Sequence, residues 1–260
     1  MCGVAGLLSL KKKSPANPER IAKSILKLLD HRGPDSRGYW ISKCKDVIIC
    51  NTRLAVVDPK NKVSVPLKYE NNFILSFNGE IYDYKIQKKK LAKNHNFFSI
   101  KTNLDSEILL HGLINNGKNF LKQIDGMWSL AFYDERKRML LLSRDLLGEK
   151  HLFYTIKNDI LIFSSEMNCL LSLISEKPDY DYSSIISSFQ FRACQPGKTL
   201  IKNVFKLLPG HNLEVNKGVI KKYSHLEFET NQRIEQINSF SKFNSLIDLY
   251  DEEISKAVVS

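Results

Sequence analysis

The sequence lacks the features that mark membrane, secreted and metal-binding proteins. No stretch of its 260 residues approaches the roughly 18 consecutive apolar residues that a membrane-spanning helix requires, and the N-terminus has no basic segment followed by an apolar core. The five cysteines are an odd number and form no C-x-x-C pair, so neither a disulfide framework nor a zinc site is indicated. These absences predict no membrane association, no metal site, and a cytoplasmic protein with reduced thiols.

Acidic residues are also scarce relative to basic ones, which leaves a formal net charge of +11. The densest basic segment, residues 85–93, contains five lysines on a predicted helix. Because arginines and aromatic residues are not interleaved with these lysines, the segment is typical of a solvated helix face. We therefore predict no nucleic-acid partner, and salt-sensitive binding of nucleic acid would contradict this prediction.

The chain does contain enough apolar residues, 43% of the total, to form a sizeable core. Apolar runs predict strands at residues 1–10, 46–57 and 72–77. The last run leads into Asn78 and Gly79, where the glycine predicts a tight turn. Further paired runs predict two antiparallel hairpins, at residues 129–145 and 152–164.

Helical spacing predicts one helix that begins at Pro18 and another at residues 105–116, ended by Gly117. Hairpins separated by whole helices indicate an α+β fold, in which helices cover the outer faces of antiparallel sheets. Apolar positions of residues 243–258 also fall on one face of a helix, with no following element to cover it. We interpret residues 1–225 as one domain and residues 226–260 as a linker and the first helix of a truncated second domain. Docking of this helix onto the first domain is the alternative.

The second residue offers a distinctive chemistry. Removal of Met1 would place the thiol of Cys2 beside a free α-amino group, which titrates near ~8. That amine could accept the thiol proton and later return it to a leaving group, so that one residue would act as nucleophile and base. The alternative is that Cys2 is simply a small apolar residue of an N-terminal strand.

Nine ordered segments together resemble the class II glutamine amidotransferases, and more narrowly the glutamine-hydrolysing asparagine synthetases. They are MCGVAG (1–6), HRGPD (31–35), RLAVVD (53–58), NGEIY (78–82), DSE (105–107), DGMW (125–128), SRD (143–145), SSEM (164–167) and LPGH (208–211). The resemblance covers the chain from Cys2 to about Tyr223. So many segments in this order are far more specific than any single motif.

The resemblance implies an N-terminal nucleophile hydrolase fold, a four-layer αββα sandwich with antiparallel sheets. It implies that Cys2 attacks the side-chain amide of glutamine, forms a γ-glutamyl thioester and releases ammonia. Asn78 and the N–H of Gly79 would stabilise the oxyanion of the tetrahedral intermediate.

The resemblance also implies how the free amino acid is held. Arg53 would bind the substrate carboxylate through its planar fork of donors, and carboxylates would attract the α-ammonium group. The substrate-binding set implied in this way is Arg53, Leu54, Ala55, Val56, Val57, Asn78, Gly79, Glu80 and Asp105. Taken singly, Arg53 could be a surface arginine, Asn78 and Gly79 an ordinary turn, and Asp105 a helix N-cap.

Two positions depart from the family pattern. Asn51 stands where the family usually has His, and we expect this change to weaken the positioning of Arg53 or a domain contact. His151 stands where the family usually has Pro, and we expect only a loop to change. Neither belongs to the predicted bond-making set.

The family's Ser-Gly-Gly-x-Asp-Ser pyrophosphate segment does not occur in this sequence. We therefore expect no cofactor in this domain, and ATP with Mg²⁺ only in a missing C-terminal synthetase domain, whose first helix would lie in residues 226–260. That domain would use the ammonia to amidate aspartate to asparagine, and a homodimer is a further expectation. Alternatives are amination of a sugar or another metabolite of surface-polysaccharide synthesis, and a catalytically idle glutamine-binding module. Retention of the predicted site residues argues against the idle module.

Overall fold

A computed structural model of the chain describes residues 1–56, 63–93, 100, 102–174, 177–225 and 241–259. Internal contacts divide the chain into two units, Met1–His225 and Leu226–Ser260. In the second unit the described residues form helix α6 (Ser241–Val259), where a helix was predicted. That this helix opens a synthetase-like domain stays a prediction.

Six antiparallel strands form the first sheet of the first unit. In spatial order they are β10 (Val204–Lys206), β8 (Phe153–Lys157), β9 (Ile160–Ser164), β1 (Gly3–Ser9), β3 (Val47–Arg53) and β2 (Ser36–Ile41). Ala5 of β1 lies opposite both Cys50 of β3 and Ser164 of β9, so the strand that follows Cys2 is paired on both sides. The N-terminus is thereby anchored in the middle of the sheet.

The second sheet is also antiparallel and has six strands. In spatial order they are β12 (Val219–Ser224), β11 (His211–Asn216), β7 (Met139–Arg144), β6 (Gly126–Asp134), β5 (Phe73–Ile81) and β4 (Leu67–Tyr69). Pairing of β6 with β7 and of β8 with β9 confirms the two predicted hairpins. The short strand β4 pairs only with residues 73–75 of β5, so it leaves the edge of β5 beyond Leu75 uncovered.

Successive side chains of each strand point to opposite faces of the sheet, and the apolar ones form three layers. Val4 and Leu8 of β1 point between the sheets, where they pack with apolar residues of β5, β6, β7 and β11. Ala5 and Leu7 point the other way, against helices α1 (Pro18–Leu29) and α4 (Met167–Ser172). Helix α3 (Asp105–Asn116) covers the outer face of the second sheet. Helices therefore cover the outer faces of both sheets, which confirms the predicted αββα sandwich. The other two α-helices described in this unit are α2 (Tyr84–Ala92) and α5 (Tyr182–Phe191).

The turn predicted at Gly79 is wrong. Strand β5 continues through Asn78 and Gly79 to Ile81 because these residues pair with β6, Gly79 lying opposite Trp128. Glycine is needed there because the neighbouring backbone is close: a Cβ on Gly79 would lie 2.1 Å from the carbonyl oxygen of Met127.

The strand predicted at residues 46–57 ends early, at Arg53. Beyond it the backbone bonds to a loop instead of a neighbouring strand, since the Ala55 N–H donates to Oδ2 of Asp35 at 2.7 Å. The Val56 N–H donates to the Leu54 carbonyl at 3.1 Å, which makes this segment a tight bend. Val57 lies outside the described residues.

Candidate active site

A cleft of about 190 Å³ lies where β1, β3, β5 and the start of α3 meet. Its lining includes eight predicted site residues: Cys2, Arg53, Leu54, Val56, Asn78, Gly79, Glu80 and Asp105. Ala55 does not line the cleft, and Val57 is outside the described part of the chain. Tertiary structure thus gathers residues that are up to about a hundred positions apart in sequence.

Cys2 lies directly before β1, with its thiol at the cleft. The Sγ–H group faces the Leu54 carbonyl at 3.8 Å. Burial raises the pKa of the Cys2 thiol, although the Leu54 contact, the N-terminal ammonium and Arg53 each act to lower it. The thiol is therefore protonated at neutral pH and needs a base before it can act as a nucleophile. Met1, which precedes it, is exposed.

Arg53 is the last residue of β3, and the bend after it shapes one wall of the cleft. The Arg53 carbonyl accepts a hydrogen bond from the Asp35 N–H at 3.1 Å, and the Asp35 carboxylate in turn holds Ala55. Asp35 lies within the HRGPD segment, so this loop supports the main chain on which the predicted substrate contacts lie.

The uncovered edge of β5 directs main-chain groups toward the cleft. In an antiparallel pair, alternate residues point both N–H and C=O to the same side, so Phe77, Gly79 and Ile81 share one edge. The Asn51 side chain bonds Phe77 on that edge, and the Asp105 carboxylate accepts from the Ile81 N–H at 3.1 Å. The Gly79 N–H points to the same edge, between these two positions.

Asp105 opens helix α3, although Leu104 occupies the N-cap position and the side chain of Asp105 does not serve as a conventional cap. The carboxylate accepts from the N–H groups of Ser106 at 2.7 Å and Ile81 at 3.1 Å. Burial raises the pKa of Asp105, and these two hydrogen bonds oppose that rise; Glu80 adds to the rise and Arg53 opposes it. The cleft therefore contains the carboxylates of Glu80 and Asp105, with the Arg53 guanidinium within electrostatic reach of Asp105.

Comparison with known proteins assigns the chain to a family. Residues 1–226 match the family described as glutamine amidotransferase domain. The chain belongs to this family. The amidotransferase domain is 29% identical over 248 residues to the putative asparagine synthetase (glutamine-hydrolyzing) 2 of Methanocaldococcus jannaschii, covering 87% of this chain and 47% of the relative. It is 33% identical over 224 residues to asparagine synthetase (glutamine-hydrolyzing) 2 of Bacillus subtilis, covering 83% and 29%.

This chain therefore spans less than half the length of these two relatives. Among solved structures, the glutamine phosphoribosylpyrophosphate amidotransferase of B. subtilis is similar in fold, with a TM-score of 0.60 and 16% identity over 86% of this chain and 49% of that chain. The shared fold agrees with the four-layer sandwich described above.

Arg32 and Glu166 of the amidotransferase domain support Cys2, a role that the sequence motifs did not predict. The Arg32 Nε donates to the Cys2 carbonyl at 2.9 Å, and Nη1 of the same guanidinium donates to Glu166 at 3.0 Å. Burial opposes ionisation of Glu166, but hydrogen bonds from Arg32 and His31 lower its pKa, so it is ionised at neutral pH. Both lie in quoted motifs, yet their 134-residue separation hides their pairing from sequence inspection.

His151 itself does not line the cleft, although Lys150, its neighbour in the same loop, does. Arg144 organises the loop by donating to the carbonyls of Lys150 at 2.8 Å and Leu207 at 2.6 Å. Burial, together with the nearby cations Lys206 and Arg144, lowers the pKa of His151.

Among the described residues, no group of three or more His, Cys, Asp and Glu side chains could hold a metal ion. Within the same residues, no helix is long and apolar enough to cross a membrane.

Proposed function

We propose that this domain hydrolyses glutamine to glutamate and ammonia, with Cys2 as nucleophile. The observation that carries the proposal is the meeting, in one cleft, of the Cys2 thiol, the Gly79 edge of β5, Arg53 and Asp105. Cys2 directly precedes β1 of the first sheet and Gly79 lies on β5 of the second, so the reacting amide would lie between an attacking sulfur and an oxyanion donor.

The substrate would be held as a free amino acid. Arg53 donates two parallel hydrogen bonds to the α-carboxylate, while Glu80, Asp105 and the Gly79 carbonyl accept hydrogen bonds from the α-ammonium. Main-chain groups of residues 53–57 complete the contact. Asn78, which is only 2% exposed, and the Gly79 N–H stabilise the oxyanion.

The reaction begins after removal of Met1. Because burial keeps the thiol protonated, the α-amine of Cys2 accepts the Sγ proton while sulfur bonds to the amide carbon. The C–N bond breaks, the nitrogen leaves with that proton as ammonia, and a γ-glutamyl thioester remains. Water then attacks the thioester, which releases glutamate and restores the thiol.

Alkylation by 6-diazo-5-oxo-norleucine, followed by peptide mass spectrometry, tests the nucleophile. We expect one adduct on an N-terminal peptide that lacks Met1, no adduct in Cys2→Ala, and no glutamate release by that variant. Cys44→Ala is the matched control, because Cys44 is an exposed free thiol outside the cleft. Glutamine hydrolysis by Cys2→Ala at the parent rate, or by a chain that keeps Met1, would overturn the proposal.

We further propose that the ammonia serves a C-terminal synthetase half, where ATP and Mg²⁺ would be used to amidate aspartate. The names of the two relatives and the partial coverage of their length support this acceptor. A protein that carries both halves should form asparagine from aspartate, ATP and glutamine. Retained glutamine hydrolysis without asparagine would instead favour a different acceptor, such as a sugar. A homodimer and a cytoplasmic location stay predictions.

A further inference from the structure

Asn51 is a buried amide that joins three strands at the cleft. It is 3% exposed and lies on β3, two residues before Arg53. Its Nδ2 donates to the Gly3 carbonyl of β1 at 2.8 Å and approaches the carbonyls of Thr52 at 3.3 Å and Phe77 at 3.4 Å. Its Oδ1 accepts from the Phe77 N–H of β5 at 3.4 Å.

The neighbours determine which way this amide points. Nδ2 faces three carbonyl oxygens, which only accept hydrogen bonds, whereas Oδ1 faces an N–H group, which only donates. Rotating the amide by 180° would place Oδ1 against the Gly3 carbonyl and Nδ2 against the Phe77 N–H. The Nδ2 donor therefore faces Gly3 and Thr52 of the first sheet and also the Phe77 carbonyl of the second, whereas the Oδ1 acceptor faces Phe77 of the second sheet alone.

These bonds connect the two halves of the reaction centre. Gly3 directly follows Cys2, and Phe77 lies two residues before Gly79 on the same edge of β5. Since Cys2 and Gly79 belong to opposite sheets, their separation depends on what crosses the space between the sheets. The Asn51 amide crosses the space between the sheets, and it bonds one residue from Cys2 and two residues from Gly79.

We propose that Asn51 is a positioning residue, which sets the distance between the Cys2 sulfur and the oxyanion donor Gly79. The inference rests on the proposed glutamine hydrolysis and adds to it a residue that acts through the main chain of Gly3 and Phe77. A displacement of about 1 Å at a reacting centre can cost about 100-fold in rate. Loss of the Asn51 bonds therefore lowers turnover while the groups that bind the ends of glutamine stay in place.

A neighbouring hydrogen bond provides a matched control. The Ser76 Oγ donates to the Cys50 carbonyl at 2.9 Å, so it links β5 to β3 one residue before the Asn51–Phe77 link. Ser76 is fully buried, and it does not line the cleft. Ser76→Ala therefore removes a buried bond between the same two strands without touching the connection to Gly3.

The experiment compares glutamate release and unfolding for Asn51→Leu, Asn51→His and Ser76→Ala. We expect Asn51→Leu to lower kcat about 10- to 100-fold with KM for glutamine changed less than about threefold. We expect Ser76→Ala to lose stability but keep kcat within about twofold. Asn51→His keeps a ring N–H that can donate to the Gly3 carbonyl, so it should recover part of the lost kcat.

The outcomes separate this inference from the proposed function. Cys2-dependent hydrolysis that Asn51→Leu leaves within about threefold of the parent would overturn the role of Asn51 alone, as would an equal loss of kcat in Ser76→Ala. A parent chain without Cys2-dependent hydrolysis would overturn both. Should Asn51→Leu fail to fold, Asn51→Ala takes its place, because it removes the donor to Gly3 and the acceptor for Phe77 without adding a charge or a new donor; the same fall in kcat supports the inference and its absence refutes it.

Discussion

Replacing Gly79 by alanine should separate catalysis from folding. The added Cβ would lie 2.1 Å from the Met127 carbonyl oxygen and 2.8 Å from the Trp128 Cα, both of them backbone atoms of β6. Carbon and carbonyl oxygen ordinarily approach to about 3.3 Å, so β5 would have to move by about 1 Å at this point. Such a shift moves the proposed oxyanion donor directly, and we expect kcat for glutamine hydrolysis to fall about 100-fold or more.

The matched control is Gly112→Ala, whose Cβ would lie 2.2 Å from the Phe120 ring on the far side of the second sheet. Both variants overpack the interior and should lose about 1–3 kcal/mol of unfolding free energy. Only Gly79→Ala should lose kcat. A coupled assay of glutamate release measures kcat, and denaturant unfolding measures the stability of both variants. Turnover by folded Gly79→Ala within threefold of the parent would refute the reasoning, because the oxyanion donor would then lie elsewhere.

Two further predictions concern titratable groups. Asp105→Asn should raise KM for glutamine about 10- to 100-fold with a smaller change in kcat, since a charge-assisted bond to the α-ammonium is lost; an unchanged KM would exclude Asp105 from substrate binding. Burial lowers the pKa of His225 from 6.5 to about 4. As the pH falls, His225 is therefore protonated in the unfolded chain before it is protonated in the folded chain. The free energy of unfolding should therefore drop by about 2–3 kcal/mol between pH 6.5 and pH 4, measured by urea titration, and His225→Phe should flatten that slope.

Much of the fold could be predicted because its signals are local. The run after Cys2 became β1, the two hairpins formed where paired runs predicted them, and α3 ends at Gly117, whose φ is +57°. The candidate site could be predicted because short motifs identify the residue types that the chemistry needs. The relative placement of those motifs was not visible in any one of them.

The errors have a common physical cause. Asn78 and Gly79 have the composition of a tight turn, but pairing with β6 holds them in a strand. Glycine at that position is required by a backbone from another strand, so no local pattern could distinguish the two cases. The end of β3 at Arg53 likewise depends on the Asp35 carboxylate, which approaches from a different loop.

By itself, the sequence determined the periodicity of strands and helices, the position of a thiol next to the N-terminus, and the motifs that identify the family. These follow from neighbours along the chain, whose geometry is set by backbone stereochemistry. Only the tertiary structure decided that Arg32 and Glu166 support the Cys2 main chain and that Asn51 joins Gly3 to Phe77 across the two sheets. Such bonds depend on how two sheets pack face to face, which is decided by the whole core.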